Sequence, residues 1–188
     1  MEKIVVLLAD GFEECEGLLF IDLFRRAGLE VVSASITEHK KVRSSHQIKV
    51  KADKRLSELD SADFTVCVLP GGRRGAENLK NSEEARAFVR SFADKQKLIV
   101  AVCAAPTVLE HYGVLEGHVA TCFPGMKELL GDKYREGPTV DDGLIVTGNG
   151  LGGTIPTALT VIEKLCGKDT AEEVCRSIVY PYWGNTVS

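Results

Sequence analysis

Cys103 is the residue of this sequence best placed to act as a nucleophile. The apolar run of residues 98–102 ends at Cys103, and Pro106 follows at a position that suits the first turn of a helix. A turn that exposes a nucleophile needs small residues two positions before and after it, and Ala101 and Ala105 stand there. We therefore predict a sharp strand-to-helix turn at Cys103. The helix N-terminus is expected to lower the pKa of the thiol and favour the thiolate.

Three glutamates at another strand end could exchange a proton with this thiol. Glu13, Glu14 and Glu16 follow the strand predicted over residues 4–9 and open the first helix. Acidic residues in a first turn also complement the helix dipole, which accounts for at least one of them. Glu14 and Glu16 point to different sides of the helix, because they are two residues apart. This spacing does not select among the three.

A third strand end carries residues without bulk. Residues 64–69 are followed by Pro70, Gly71 and Gly72, which form either a plain turn or a set of backbone donors. In the second case their N–H groups would face a developing oxyanion beside the N–H of Ala104. Because parallel strands end at a common edge, we expect these groups and Cys103 to meet there.

Apolar runs alternate with helical patterns along the chain, which predicts a mostly parallel sheet covered on both faces. We expect one doubly wound α/β domain over residues 1–188. The predicted strands are residues 4–9, 31–36, 64–69, 98–102 and 144–147, with smaller antiparallel additions at 40–52 and 118–123. The predicted helices run from about Glu13 to Gly28, from about Ser82, from Cys103 to about Gly113, from about Thr154 to Cys166, and onward from Thr170 as N-cap.

Composition narrows the class of protein. A hydrophobic fraction of 44% with 27% charged residues is typical of a globular chain, and a net charge of −4 gives no general attraction to nucleic acid. No apolar run has the length of a membrane span, and the N-terminus lacks the pattern of a secretion signal. We therefore expect a cytoplasmic protein that binds neither nucleic acid nor membrane. A basic stretch over residues 40–55 is interpreted mainly as the solvated face of a half-buried strand, the alternative being a site for an acidic partner.

The sequence carries no strong motif for a cofactor or a metal ion. The six cysteines have no metal-ligand spacing, and no disulfide is expected in a cytoplasmic chain. Residues 148–153 match GxGxxG, but no later strand could supply the acid that binds a ribose, so dinucleotide binding is not expected. We predict no cofactor and no metal.

Five segments together resemble the ThiJ/PfpI superfamily and, within it, the DJ-one branch with its bacterial members. They are ADGFEECE at 9–16, RRAG at 25–28, VLPGGRRGAENL at 68–79, LIVAVCAAPTVL at 98–109 and DGLIVTGNGLGGT at 142–154. They span nearly the whole chain in the order of the family. The resemblance implies a flavodoxin-like fold and a homodimer.

The resemblance also assigns roles. It places the reactive cysteine at Cys103 and the glutamate that contacts it at Glu16, with backbone oxyanion donors at Gly72 and Ala104. Cys15 would then lie near the dimer contact. His46 would lie near the pocket, where close relatives have an arginine.

Two departures from the family pattern bear on the chemistry. Peptidase and hydrolase members have a histidine directly after the cysteine, whereas this chain has Ala104, which argues against a peptidase. A pocket histidine that some DJ-one proteins have before a proline is replaced by Phe123.

These features predict a glyoxalase or deglycase acting on α-oxoaldehydes such as methylglyoxal and glyoxal, or on their early adducts. A Cys103 thiolate would attack the carbonyl, and Glu16, protonated near pH 7 and sharing one proton with the thiol, would shuttle protons. The alternative is a redox-sensing or chaperone-like stress protein in which Cys103 is oxidised to sulfenate or sulfinate.

Overall fold

A seven-stranded sheet forms the centre of the molecule in the computed structural model, which describes residues 2–180. Its strands lie in the order β5-β2-β1-β6-β7-β9-β8, and all neighbours are parallel except β8 and β9. The strands are β1 (Lys3–Leu8), β2 (Glu30–Ser35), β5 (Lys54–Arg55), β6 (Val66–Leu69), β7 (Leu98–Val102), β8 (Thr139–Asp142) and β9 (Ile145–Gly148). The doubly wound α/β fold predicted from the alternating pattern is confirmed, and so is the flavodoxin-like fold that the family resemblance implies.

Helices cover both faces of the sheet. They are α1 (Glu14–Arg26), α2 (Arg73–Lys80), α3 (Glu83–Asp94), α4 (Pro106–His111), α5 (Leu151–Cys166) and α6 (Lys168–Ser177). Helices α2, α3 and α4 share one buried core with the sheet, and α1, α5 and α6 share the other. Successive residues of β1 alternate between the two cores, since the side chains of a strand point to opposite faces.

A small antiparallel hairpin lies outside the main sheet. It pairs β3 (Lys41–Arg43) with β4 (Lys49–Lys51), as expected for the basic stretch. Its exposed positions are the charged residues, while Val42 is buried. The hairpin is tied to the site edge of the sheet, because the carbonyl of Arg43 accepts a hydrogen bond from Gly11 N at 2.7 Å.

The second predicted antiparallel addition is wrong. Over residues 118–123 only an isolated bridge forms, between Ala120 and Tyr134, and it is parallel. The antiparallel edge strand is β8, which was not predicted because its polar residues show no apolar alternation. It pairs with the buried β9, and a tight turn at Gly143 connects the two strands.

The helix predicted from about Ser82 is confirmed as α3, with Ser82 as its N-cap. One helix was not predicted: α2 begins directly after Gly72, and its sequence is mostly polar. The starts of two other helices differ from the prediction. Helix α5 begins at Leu151, within the glycine-rich segment. Helix α6 begins at Lys168 with Gly167 as its N-cap, so the prediction that Thr170 caps it is wrong: the Thr170 hydroxyl donates to the carbonyl of Cys166, one turn back.

Within residues 2–180, no helix combines the length and the apolar character that a membrane crossing requires.

Candidate active site

Cys103 occupies the strained turn that the sequence predicted. Its φ is 61°, in the left-handed region that costs a non-glycine residue of order 1 kcal/mol or more. The backbone is fixed on both sides: Cys103 N donates to Gly148 O at 2.9 Å, and Cys103 O accepts from Phe123 N at 2.8 Å. Pro106 is the first residue of α4, as expected. The two hydrogen bonds hold the strained turn in this conformation. The thiol of Cys103 therefore lies at the end of β7, where it is partly accessible to solvent.

Glu16 is the glutamate that reaches the thiol. It lies in the first turn of α1 and is buried, with 1% of its surface exposed. Its Oε2 accepts a hydrogen bond from Gly71 N at 2.7 Å, and its carboxyl is also hydrogen-bonded to the Cys103 thiol. The structure therefore joins the ends of β1, β6 and β7 through one carboxyl group.

Two backbone donors face the sulfur. The N–H groups of Gly72 and Ala104 both form hydrogen bonds to the Cys103 side chain. They come from the ends of two neighbouring strands, β6 and β7, which explains why a parallel sheet can direct them at one atom. Glu16, Gly72 and Ala104, which the sequence analysis singled out together with Cys103, thus each form a hydrogen bond with the Cys103 thiol.

Burial shifts the titration of this pair. It raises the pKa of Glu16 to about 7, against the opposing hydrogen bonds from Gly71 and Cys103. Burial, followed by the charge and the hydrogen bond of Glu16, raises the pKa of Cys103 to about 12, and the N–H groups of Gly72 and Ala104 only partly oppose this. The raised pKa expected for Glu16 is confirmed. The pKa of the thiol is raised, not lowered as expected, because partial burial and the neighbouring Glu16 carboxyl outweigh the N–H groups of Gly72 and Ala104.

The pair therefore holds two protons with very different affinity. One leaves near pH 7, and the second is retained until far higher pH. Over the range from pH 7 upward, the pair carries a single proton that the thiol and the carboxyl share through their hydrogen bond. A reacting thiolate forms when that proton lies on Glu16.

Glycines are required where the strand ends converge. A Cβ on Gly71 would lie 2.6 Å from Cys103 Cβ and 2.7 Å from Glu16 Oε2. Gly72 has φ +89°, and a Cβ there would lie 2.4 Å from Gly11 O. A Cβ on Gly148 would lie 2.4 Å from Thr157 Oγ1. The glycines in these segments thus allow the backbones of neighbouring elements to approach closely. The carbonyl of Gly148 also accepts the hydrogen bond that holds the backbone of Cys103.

The other two glutamates have separate functions. Glu13 caps α1 by accepting a hydrogen bond from Glu16 N at 2.7 Å, as simple dipole complementation requires. Glu14 turns to the hairpin, where its Oε1 lies 2.7 Å from His46 Nδ1 and its Oε2 lies 3.0 Å from Ser45 Oγ. Despite burial, which acts in the opposite direction, hydrogen bonds from its own backbone, Ser44, Ser45 and the backbone of His46 lower the pKa of Glu14 to about 2. Glu14 is therefore ionised and binds α1 to the hairpin. Residue spacing left open which of the three glutamates contacts the thiol, and the structure shows that it is the buried Glu16.

Cys15 and His46 lie outside the contacts of the thiol. Cys15 is exposed on α1, where burial and the neighbouring glutamates raise its pKa. His46 is largely exposed and its ring nitrogen pairs with Glu14. The ligand atoms of Glu13, Glu14 and His46 lie within 4.8 Å of one another, the one such metal-sized group found among the described residues. Both carboxylates already have hydrogen-bond partners.

Sequence reasoning missed three contributors to this site. They are the N–H of Gly71 on Glu16, the carbonyl of Gly148 on Cys103, and the N–H of Phe123 on the Cys103 carbonyl. The predicted turn at Pro70 was the signal for the first of these. No pattern in the sequence pointed to the other two, because backbone groups leave no residue-type signature.

Comparisons with known proteins agree with this architecture. The DJ-1/PfpI family model matches residues 2–164. Protein dj-1beta of Drosophila melanogaster is 35% identical over 181 residues, which cover 95% of this chain and 97% of that protein. A Bacillus subtilis protein, named as a candidate cysteine protease, is 31% identical over 78% of this chain and 88% of its own length. The solved structure of oxidized Toxoplasma gondii DJ-1 is similar with a TM-score of 0.94 and 35% identity, covering 97% of this chain and all of that one.

Proposed function

The chain belongs to the DJ-1/PfpI family, and we propose that its Cys103 centre is a cysteine-dependent glyoxalase or deglycase that uses no cofactor. Its substrates are small carbonyl compounds: α-oxoaldehydes such as methylglyoxal and glyoxal, or their early adducts with thiols and amines. One observation carries the proposal. The partly accessible Cys103 thiol shares a hydrogen bond with the buried carboxyl of Glu16, and the N–H groups of Gly72 and Ala104 are directed at the sulfur.

The first step is attack on the aldehyde. As Cys103 Sγ bonds to the aldehyde carbon, its proton passes to Glu16, and Glu16 then gives this proton to the carbonyl oxygen, which completes the hemithioacetal and leaves Glu16 ionised. The ionised Glu16 is the base for this step, so the high pKa of the thiol is overcome only when the substrate is in place. The two backbone N–H groups stabilise the negative charge that develops on sulfur and on oxygen.

The second step moves a hydrogen between neighbouring carbons. Glu16 removes the proton from the former aldehyde carbon and returns it to the adjacent carbonyl carbon through an enediol, which leaves a thioester of a 2-hydroxy acid on Cys103. Water then attacks the thioester carbon. This breaks the C–S bond, releases the 2-hydroxy acid and restores the thiol. The overall reaction is redox-neutral and consumes one water molecule.

Peptidase chemistry is the less suitable function for this site, although one relative is named as a candidate cysteine protease. Amide cleavage needs an imidazole that activates the thiol and protonates the leaving amine. The residue after Cys103 is Ala104, and His46 pairs with Glu14 instead.

A turnover assay with methylglyoxal tests the proposal. The free aldehyde and a preformed adduct are supplied separately to the wild type and to Cys103→Ala, and the 2-hydroxy acid is measured. We expect turnover that is lost in Cys103→Ala and kept in Cys15→Ala, a control that removes an exposed thiol away from the site. Equal turnover by Cys103→Ala, or none by the wild type, would contradict the proposal.

A second candidate function is redox sensing or a chaperone-like stress response through oxidation of Cys103. The same two N–H groups at the sulfur, together with Glu16, would hold the oxygens of a sulfinate. The solved structure of the Toxoplasma gondii relative in an oxidized form supports this second candidate function. If mild peroxide gives a stable sulfinate at Cys103 and no aldehyde is turned over, this function replaces the first.

We also propose a cytoplasmic homodimer. All six cysteines are free thiols, in keeping with a reducing compartment. Helix α1 exposes Cys15 and 42% of the apolar Leu18, and the hairpin exposes His46 and 50% of Ile48. Exposed apolar side chains of this kind are typical of a subunit contact.

A further inference from the structure

A cavity of about 570 Å³ lies beside the thiol site and is strongly basic. Three arginines line it, against one acidic side chain. Its lining consists of Asp10, Gly11, Arg43, Ser44, Ser45, Gln47, Arg73 and Arg74. A second cavity of about 410 Å³ shares Asp10 and Arg43 with the first and adds Lys41, Lys49 and Lys51 of the hairpin. This concentration of positive charge contrasts with the net charge of −4 of the whole chain.

Among residues 2–180, no carboxylate forms an ion pair with these three arginines. Within the part of the chain that the structure describes, Arg73 and Arg74 have no side-chain hydrogen bond or ion pair. Arg43 donates to the neutral amide of Gln47 at 3.2 Å. The one acid, Asp10, accepts a hydrogen bond from the backbone N–H of Arg43 at 2.8 Å, which occupies one of its oxygens. The cavity therefore offers guanidinium donors without a carboxylate partner.

Backbone geometry sets this cavity next to the reacting sulfur. Gly72, whose N–H faces Cys103, is followed directly by Arg73 and Arg74 at the start of α2. The stem of Arg74 passes over Gly11, where a Cβ would lie 2.6 Å from Arg74 Cβ. Gly11 has φ +82° and is in turn in contact with Gly72. The absence of a side chain at Gly11 thus allows Arg74 to pack against this backbone, and both residues line the cavity.

We infer that this cavity is a subsite for an anionic group, a phosphate, sulfonate or carboxylate, on the substrate that Cys103 attacks. The inference rests on the proposed function and narrows it: the preferred substrates are adducts whose thiol or amine portion carries an anion. Guanidinium groups bind such oxyanions through paired N–H donors, and the neighbouring start of α2 adds positive potential of the same sign. The reacting carbon would lie at Cys103 while the anion lies among Arg43, Arg73 and Arg74. As Cys103 Sγ bonds to that carbon, the bond from the carbon to the small thiol or amine breaks, and this group leaves with the proton of the Cys103 thiol.

A series of three adducts tests this directly. Methylglyoxal hemithioacetals are formed with 2-mercaptoethanesulfonate, 2-mercaptoethanol and 2-(trimethylammonio)ethanethiol, which have the same two-carbon spacer but negative, neutral and positive ends. At equal free methylglyoxal, we expect kcat/KM to fall in that order, with about fivefold to tenfold between the anionic and neutral adducts, and the preference should shrink at high salt. Equal kcat/KM for all three adducts would overturn the inference and leave the proposed function intact.

Variants and a binding measurement separate the two proposals. In Arg73→Gln/Arg74→Gln, the ratio of kcat/KM for the anionic over the neutral adduct should approach one. Lys80→Gln, at the far end of α2, is the matched control and should keep the ratio. Calorimetric titration with inorganic phosphate needs no turnover: binding to the wild type and to Lys80→Gln, weakened at least fivefold or so in the arginine double variant, supports the subsite. Equal phosphate binding by all three proteins contradicts it.

Discussion

Glu16 Oε2 accepts a hydrogen bond from Gly71 N at 2.7 Å, so the first turn of α1 is joined to the end of β6 at the point where the Cys103 thiol arrives from β7. This one contact sets the direction of the carboxyl. It also requires that residue 71 have no side chain, since a Cβ there would meet both Glu16 and Cys103. The proton-transfer geometry of the site follows from this arrangement.

Replacing Glu16 by glutamine should separate charge from hydrogen bonding. Glu16→Gln keeps an amide that can bond to the sulfur, but it cannot accept the thiol proton, so turnover should be lost by at least about a hundredfold. The thiol pKa should fall below the wild-type value, because the Glu16 charge that raises it is gone. Thiolate absorbance against pH, measured alongside turnover, checks both effects.

Glu14→Gln is the control for this substitution, since Glu14 is two residues away but faces the hairpin. It should retain most of the turnover. If Glu16→Gln were as active as the wild type, Glu16 would not be the proton carrier.

The pH dependence of turnover should follow the first proton of the pair. Below pH 7 Glu16 is protonated and cannot accept the proton of the thiol, so kcat/KM should fall about tenfold per pH unit. Above its pKa of about 7 the carboxylate is available and kcat/KM should reach a plateau, because the second proton stays until far higher pH. A profile that falls between pH 7 and 9 would contradict this assignment.

Gly71→Ala should damage both the site and the fold. The added methyl group would lie 2.6 Å from Cys103 Cβ and 2.7 Å from Glu16 Oε2, so the strand end must shift. We expect a loss of about 1–3 kcal/mol in the free energy of unfolding, together with a large loss of turnover. Denaturant unfolding and the methylglyoxal assay measure these two effects.

Gly152→Ala provides a matched comparison in α5, where an added Cβ meets no neighbouring atom within 4 Å. It should be neutral, or stabilising by up to about 1 kcal/mol, because alanine favours a helix. Similar losses in the two variants would show that the crowding at Gly71 is unimportant.

The proposed dimer can be tested at Leu18. Placing a charge on this exposed apolar residue of α1 should shift the molecule from dimer to monomer if the face is a subunit contact, since a desolvated charge without a partner is costly. Light scattering at micromolar concentration should give the dimer mass for the wild type and the monomer mass for Leu18→Asp. Leu129→Asp, at a leucine elsewhere that is more exposed (55% against 42%), should remain a dimer. A monomer mass for the wild type would remove the proposal.

The sequence by itself determined the framework of this protein. Buried apolar runs of Val, Ile and Leu predicted the central parallel strands, because a strand covered on both faces is apolar at most of its positions. The small residues around Cys103 and the proline at 106 located the strained turn, and the φ of 61° at Cys103 agrees with it. These are local constraints, in which a few neighbouring residues specify one backbone conformation.

Only the tertiary structure decided the remaining elements and the residues of the site, because these depend on burial and on contacts between residues far apart in the chain. Helix α2 is largely polar and β8 is an edge strand, so packing stabilises each where local pattern is weak. The three glutamates at the start of α1 are alike in sequence, but only Glu16 is buried against a thiol that is 87 residues further along the chain. That burial raises both pKa values, and it outweighs the short helix that would lower the pKa of Cys103.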